Sequence, residues 1–67
     1  MNKLDLHGVR HDEVDRLVEN FVILNDTPMR IITGNSDKMR ELVIKVLDRH
    51  NISYERFVPS HITILGD

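Results

Sequence analysis

The chain contains no cysteine, so disulfides, thiolate zinc sites and thiol catalysis are all excluded. It has no basic surplus: 9 Lys and Arg stand against 11 Asp and Glu, for a net charge of −2. A diffuse cationic grip on nucleic acid is therefore missing. The charge is unevenly spread, with three basic and six acidic residues in 1–27 but six basic and five acidic in 28–67. Any affinity for phosphate has to come from a local site. The amino-terminal Met1–Asp5 carries no long apolar stretch, so neither a signal peptide nor a membrane contact is expected. A cytoplasmic location is the default expectation. No linker, repeat or low-complexity tract interrupts the chain, which points to one domain over residues 1–67 and, by default, a monomer. A chain of 67 residues buries only roughly 60% of its unfolded surface. Its stability must come from packing, or from a partner or ligand.

What is present is periodic. From Lys3 to His7 polar and apolar residues alternate, placing Leu4 and Leu6 on one face and Lys3, Asp5 and His7 on the other. This predicts a half-buried strand closed by Gly8. Between His11 and Asn25, Val14, Leu17, Val18 and Phe21 recur at helical spacing, and Asp12 and Glu13 suit the positive end of that helix. The cluster Asn25-Asp26-Thr27-Pro28 stops it. Met29 to Thr33 predicts a second strand. Met39, Leu42, Val43, Val46, Leu47 and His50 then form an apolar stripe on a second helix, capped by Asn35 or Ser36. Ile52–Val58 and His61–Leu65 read as two antiparallel strands joined across Pro59-Ser60. The expected fold is an α/β (α+β) two-layer sandwich of order βαβαββ, with both helices on one face of a four-stranded mixed sheet. The expected core is Leu4, Leu6, Val14, Leu17, Val18, Phe21, Ile31, Leu42, Val43, Val46, Leu47, Ile62 and Ile64.

Such an architecture leaves one sheet face open, and Asp5 and His7 fall on it. A carboxylate beside an imidazole can orient a general acid or base that works near neutral pH. The same alternation also describes a merely solvated strand face. Thr33-Gly34-Asn35-Ser36 lies between a strand and a helix, where main-chain N–H groups at a helix start attract phosphate. An ordinary capped turn has the same residues. His7 and His11 lie four apart, but Gly8 between them keeps them off a common helical face. A divalent metal is conceivable there but has no support from that spacing, and no cofactor is expected.

These residues resemble a family. Leu4-Asp5-Leu6-His7-Gly8 followed by Asp12-Glu13 looks like the opening signature of the Smr (small MutS-related) domain. Ile31-Ile32-Thr33-Gly34 before an amphipathic helix looks like that family's T-G-x-G motif, and His61–Leu65 takes the place of its last strand. Ser36 stands where the family has its second glycine, Pro59-Ser60 replaces a glycine-rich stretch, and Arg10 replaces the usual Ser/Thr helix cap.

The resemblance implies a fold similar to the carboxy-terminal domain of translation initiation factor three, and nucleic-acid binding with endonuclease activity on RNA or DNA. Carried onto this chain, it makes Asp5 and His7 the catalytic pair. It adds Thr33 and Gly34 to that site, and the helix start and nearby cations extend the expected phosphate contacts to Gly8, Arg10, Asn35, Ser36 and Lys38. RNA is the expected partner ahead of DNA. The alternatives are a non-catalytic nucleic-acid-binding module and a protein–protein adaptor that uses the open sheet face.

Overall fold

The computed structural model describes residues 1–66, in the order β1 (Asn2–Asp5), α1 (His11–Leu24), β2 (Met29–Ile32), α2 (Asp37–Arg49) and β3 (His61–Ile64). The sheet order is β1-β2-β3, with β1 parallel and β3 antiparallel to the central β2. Leu4 pairs with Ile31 and Ile31 with Ile62, so one apolar row crosses all three strands. Leu6, Met29, Ile31, Ile62 and Ile64 pack with Val14 and Val18 of α1 and Met39, Val43, Val46 and Leu47 of α2 in one cluster. Both helices therefore lie on the same face of the sheet, as the periodicity requires.

Leu4, Leu17, Phe21 and Leu42, expected in the core, pack around this cluster but remain partly exposed. Met29, absent from the expected set, is buried. The phase of Met29-Arg30-Ile31-Ile32 cannot be read from its composition, because three of the four residues are apolar. The register settles it by turning Met29 and Ile31 to the helices and Arg30 and Ile32 to the open face.

Two boundaries differ from expectation. β1 ends at Asp5, because Leu6 to Val9 forms a turn closed by the Val9 N–H on the Leu6 carbonyl at 3.0 Å. Gly8 has φ +77°, which fits the third position of a type II turn and puts His7 second. The fourth strand reduces to one antiparallel bridge, Glu55 with Thr63, made through both main-chain hydrogen bonds at 2.8 and 2.9 Å. Its continuation is diverted by Arg40. The guanidinium donates to the carbonyls of Arg56 (3.1 Å), Val58 (3.0 Å), Pro59 (2.9 Å) and His61 (3.4 Å). Carbonyls held by an arginine from α2 are withdrawn from a strand ladder.

The two helices are also tied at the surface. Arg49 grips Asp15 through two hydrogen bonds, at 2.7 and 3.1 Å, and His50 lies 3.0 Å from Glu19. The Arg49 hydrogen bond holds the Asp15 carboxyl below its usual range. No helix among the described residues is long and apolar enough to cross a membrane.

Candidate functional site

Asp5 pairs in register with Ile32, and the Leu6 N–H donates to the Ile32 carbonyl at 2.9 Å. The turn carrying His7 and the segment Thr33–Ser36 therefore leave the same end of the sheet, side by side. The antiparallel β3 begins at that end too, since His61 pairs with Ile32. Three connections thus converge beyond the carboxyl ends of the parallel strands, where sheets of this kind hold their ligands.

Asp5 and His7 are both exposed, but they meet through the main chain. Asp5 Oδ1 accepts from the His7 N–H at 2.9 Å, and the His7 ring has no hydrogen-bond or ion-pair partner among the described residues. The strand alternation stops at Asp5, so His7 sits on a turn and not on the sheet face expected for it. The carboxylate positions the turn that carries the imidazole, and does not grip the ring.

The Thr33-Gly34 segment also differs from expectation. Both N–H groups donate to the Ser60 carbonyl, at 2.9 and 3.1 Å. They are used within the fold and do not face a phosphate. Thr33 itself is buried, with Oγ1 donating to the Gly34 carbonyl at 3.0 Å. Gly34 has φ +65° and faces open space where a side chain would project, so it is required by the turn and not by a close neighbour.

The start of α2 remains available. Ser36 caps it, accepting from the Met39 N–H at 3.1 Å. The N–H groups of Asn35, Ser36, Asp37 and Lys38 have no hydrogen-bond partner among the described residues. Asn35 and Lys38 are exposed, and Asp37 adds a negative charge to the same turn. Arg10 lies 3.6 Å from Asp12 with both side chains exposed, and it provides no side-chain cap for α1. Gly8, exposed in the His7 turn, completes the set.

Two contributors were not visible in the sequence. Ser60 acts through a carbonyl, and Arg40 through a clasp on distant carbonyls; neither leaves a spacing signal. His61, in register with Ile32, is another imidazole at this end of the sheet, half-buried and roughly 10 Å across from Asp5 at two strand spacings. Among the described residues, no group of three or more His, Cys, Asp or Glu is close enough to hold a metal ion. A cleft of about 400 Å³, lined by Asn25, Asp26, Thr27 and Asn51, lies at the opposite end of the sheet beside Met29 and Ile64. Compared with protein-family models, with curated proteins and with solved structures, the chain matches none.

Proposed function

We propose that the chain is a nucleic-acid-binding domain that cleaves phosphodiester bonds, acting on RNA before DNA, in the manner of the Smr domains its motifs resemble. The observation that carries this reading is the convergence of the His7 turn, the open start of α2 and the Ser60-His61 corner at one end of the sheet. The unpartnered N–H groups of Asn35 to Lys38 would receive a phosphate, with Lys38 and Arg10 supplying positive charge. On RNA, His7, exposed on a tight turn, would take the proton from a 2′-hydroxyl as its oxygen bonds to the adjacent phosphorus and the P–O5′ bond breaks, the leaving 5′-oxygen taking a proton from water. Asp5 fixes the main chain of His7 and so the position of its ring.

A second reading, a binding module without catalysis, is favoured by the engagement of Asp5 with the main chain and of the Thr33 and Gly34 N–H groups with Ser60. Cleavage of single-stranded RNA, structured RNA and duplex DNA by the purified protein, with and without a chelator, decides between them. Cleavage of RNA that His7→Ala removes is the expected result. Binding without cleavage under all metal conditions leaves the module.

A further inference from the structure

The open face of the sheet carries a feature that the acid–base site does not use. Lys3 and Arg30 pair in register on neighbouring strands, so two positive side chains stand next to one another. Neither has an ion-pair partner among the described residues. The Nε of Arg30 is buried and has no hydrogen-bond partner there either. Like charges side by side on a sheet repel, and an unmade bond at a buried donor is costly. An anion laid over this pair relieves the repulsion between the two charges. The carboxylates on the same face are placed elsewhere: Asp5 bonds the His7 N–H, and Glu55 lies beyond Thr63 at the edge.

Thr63 pairs with Arg30 and also lines a shallow cleft of about 120 Å³ with Glu55, Phe57, Val58 and His61. Phe57 is 87% exposed, and Val58 beside it is also exposed. An aromatic ring held in solvent at the β3 edge, on the far side of β3 from Arg30 and Lys3, offers two of the groups that single-stranded nucleic acid uses: a surface for a stacked base and, across the sheet, a cation pair for its backbone.

We infer that the open face binds single-stranded RNA, with the phosphodiester backbone on Lys3 and Arg30 and a base stacked on Phe57 against His61. The inference rests on the nucleic-acid reading and extends it, directing the strand across the sheet toward the His7 turn. It also selects single strands, because a base in a duplex cannot reach Phe57 without unstacking.

The test is fluorescence anisotropy with a labelled uridylate dodecamer, a duplex of equal length, and polyphosphate, read across a salt series. Phe57→Ala weakens dodecamer binding roughly 5- to 100-fold and leaves polyphosphate binding unchanged. Lys3→Gln and Arg30→Gln each reduce the slope of log affinity against log salt by about 0.7. Phe57→Ala removes an exposed ring and keeps the parent melting curve, so its result stands even if Arg30→Gln fails to fold. Unchanged dodecamer binding in Phe57→Ala and Lys3→Gln overturns the inference while RNA binding by the parent keeps the broader reading. Equal affinity for duplex, or displacement of the RNA by polyglutamate at comparable concentration, also overturns it. A parent protein that binds no nucleic acid removes both.

Discussion

Asp5 Oδ1 accepts a hydrogen bond from the main-chain N–H of His7 at 2.9 Å, and the turn that follows closes from Val9 to Leu6 at 3.0 Å. The aspartate therefore sets where the imidazole stands. An asparagine offers an acceptor oxygen in the same place and an alanine does not. Asp5→Asn keeps the melting temperature of the parent, whereas Asp5→Ala loses about 0.5–1.5 kcal/mol, the usual worth of one such bond. Denaturant titration of the two variants checks the difference; equal loss in both would mean that the charge, not the bond, holds the turn.

Arg40 holds four carbonyls of the segment leading into β3. Arg40→Met releases them at a cost of about 1–3 kcal/mol. The effect should reach the site, because the Ser60 carbonyl anchors the N–H groups of Thr33 and Gly34. Hydrogen exchange should accelerate at both amides in Arg40→Met and less so in Arg40→Lys, whose ammonium cannot match the guanidinium fork. Protection of Thr33 and Gly34 that survives Arg40→Met would show the corner to be held by other contacts.

The contrast between α2 and the 52–58 segment shows what sequence can and cannot reveal. The stripe Met39, Val43, Val46 and Leu47 is local, repeats at helical spacing, and is buried as its spacing requires. In 52–58 the alternation Ile52, Tyr54 breaks at Arg56-Phe57, and its fate depends on a guanidinium at Arg40, far back in the chain. Contacts between a side chain and distant carbonyls leave no period to read. The site divides in the same way. The turns after β1 and β2 were legible from Gly8 and Gly34, although β1 stops at Asp5 and β2 at Ile32, short of the ends expected. The partners of the Thr33 and Gly34 N–H groups were not, because Ser60 contributes a carbonyl that any residue could supply.

Burial grades the core residues of α2. Leu47 is fully buried, whereas Leu42 remains partly exposed. Leu47→Ala costs about 2–5 kcal/mol, a large part of the ~3–10 kcal/mol expected for a domain of this size. Leu42→Ala costs less, since its methyl groups already touch solvent. Chemical denaturation should rank them in that order, and the reverse order would place the core on a different face of α2.

The Asp15–Arg49 pair gives a signed pH dependence. The Arg49 hydrogen bond holds the Asp15 carboxyl below the usual carboxylate range, against a smaller opposing effect of desolvation. A group with a depressed pKa in the folded state contributes stability above its unfolded pKa and loses it as pH falls through the folded one. The contribution is present at neutral pH and fades as pH falls below about 4, through the still lower pH at which the folded carboxyl protonates. It is small because both partners are at the surface, and salt reduces it. Asp15→Asn should melt slightly below the parent at pH 7 in low salt and together with it near pH 2. A constant difference across that range would mean that the side chain contributes packing and not charge.

Under the proposed nuclease reading, the exposed imidazole on the His7 turn is where binding and catalysis would separate. Most affinity for nucleic acid comes from phosphate contacts, which the proposed reading assigns to Lys3, Arg30, Lys38, Arg10 and the start of α2 rather than to His7. Removing an acid–base group therefore lowers turnover far more than affinity. His7→Ala should reduce RNA cleavage by roughly 10²- to 10⁴-fold, the worth of a positioned proton-transfer group, with dissociation constants changed only a few-fold. His61→Ala serves as the comparison, since this half-buried imidazole shares the same end of the sheet through its pairing with Ile32. Should His61→Ala abolish cleavage while His7→Ala loses binding and cleavage in parallel, His7 would be a contact residue and the proton transfer would belong to His61. Single-turnover cleavage and anisotropy on the same labelled RNA give both quantities for each variant.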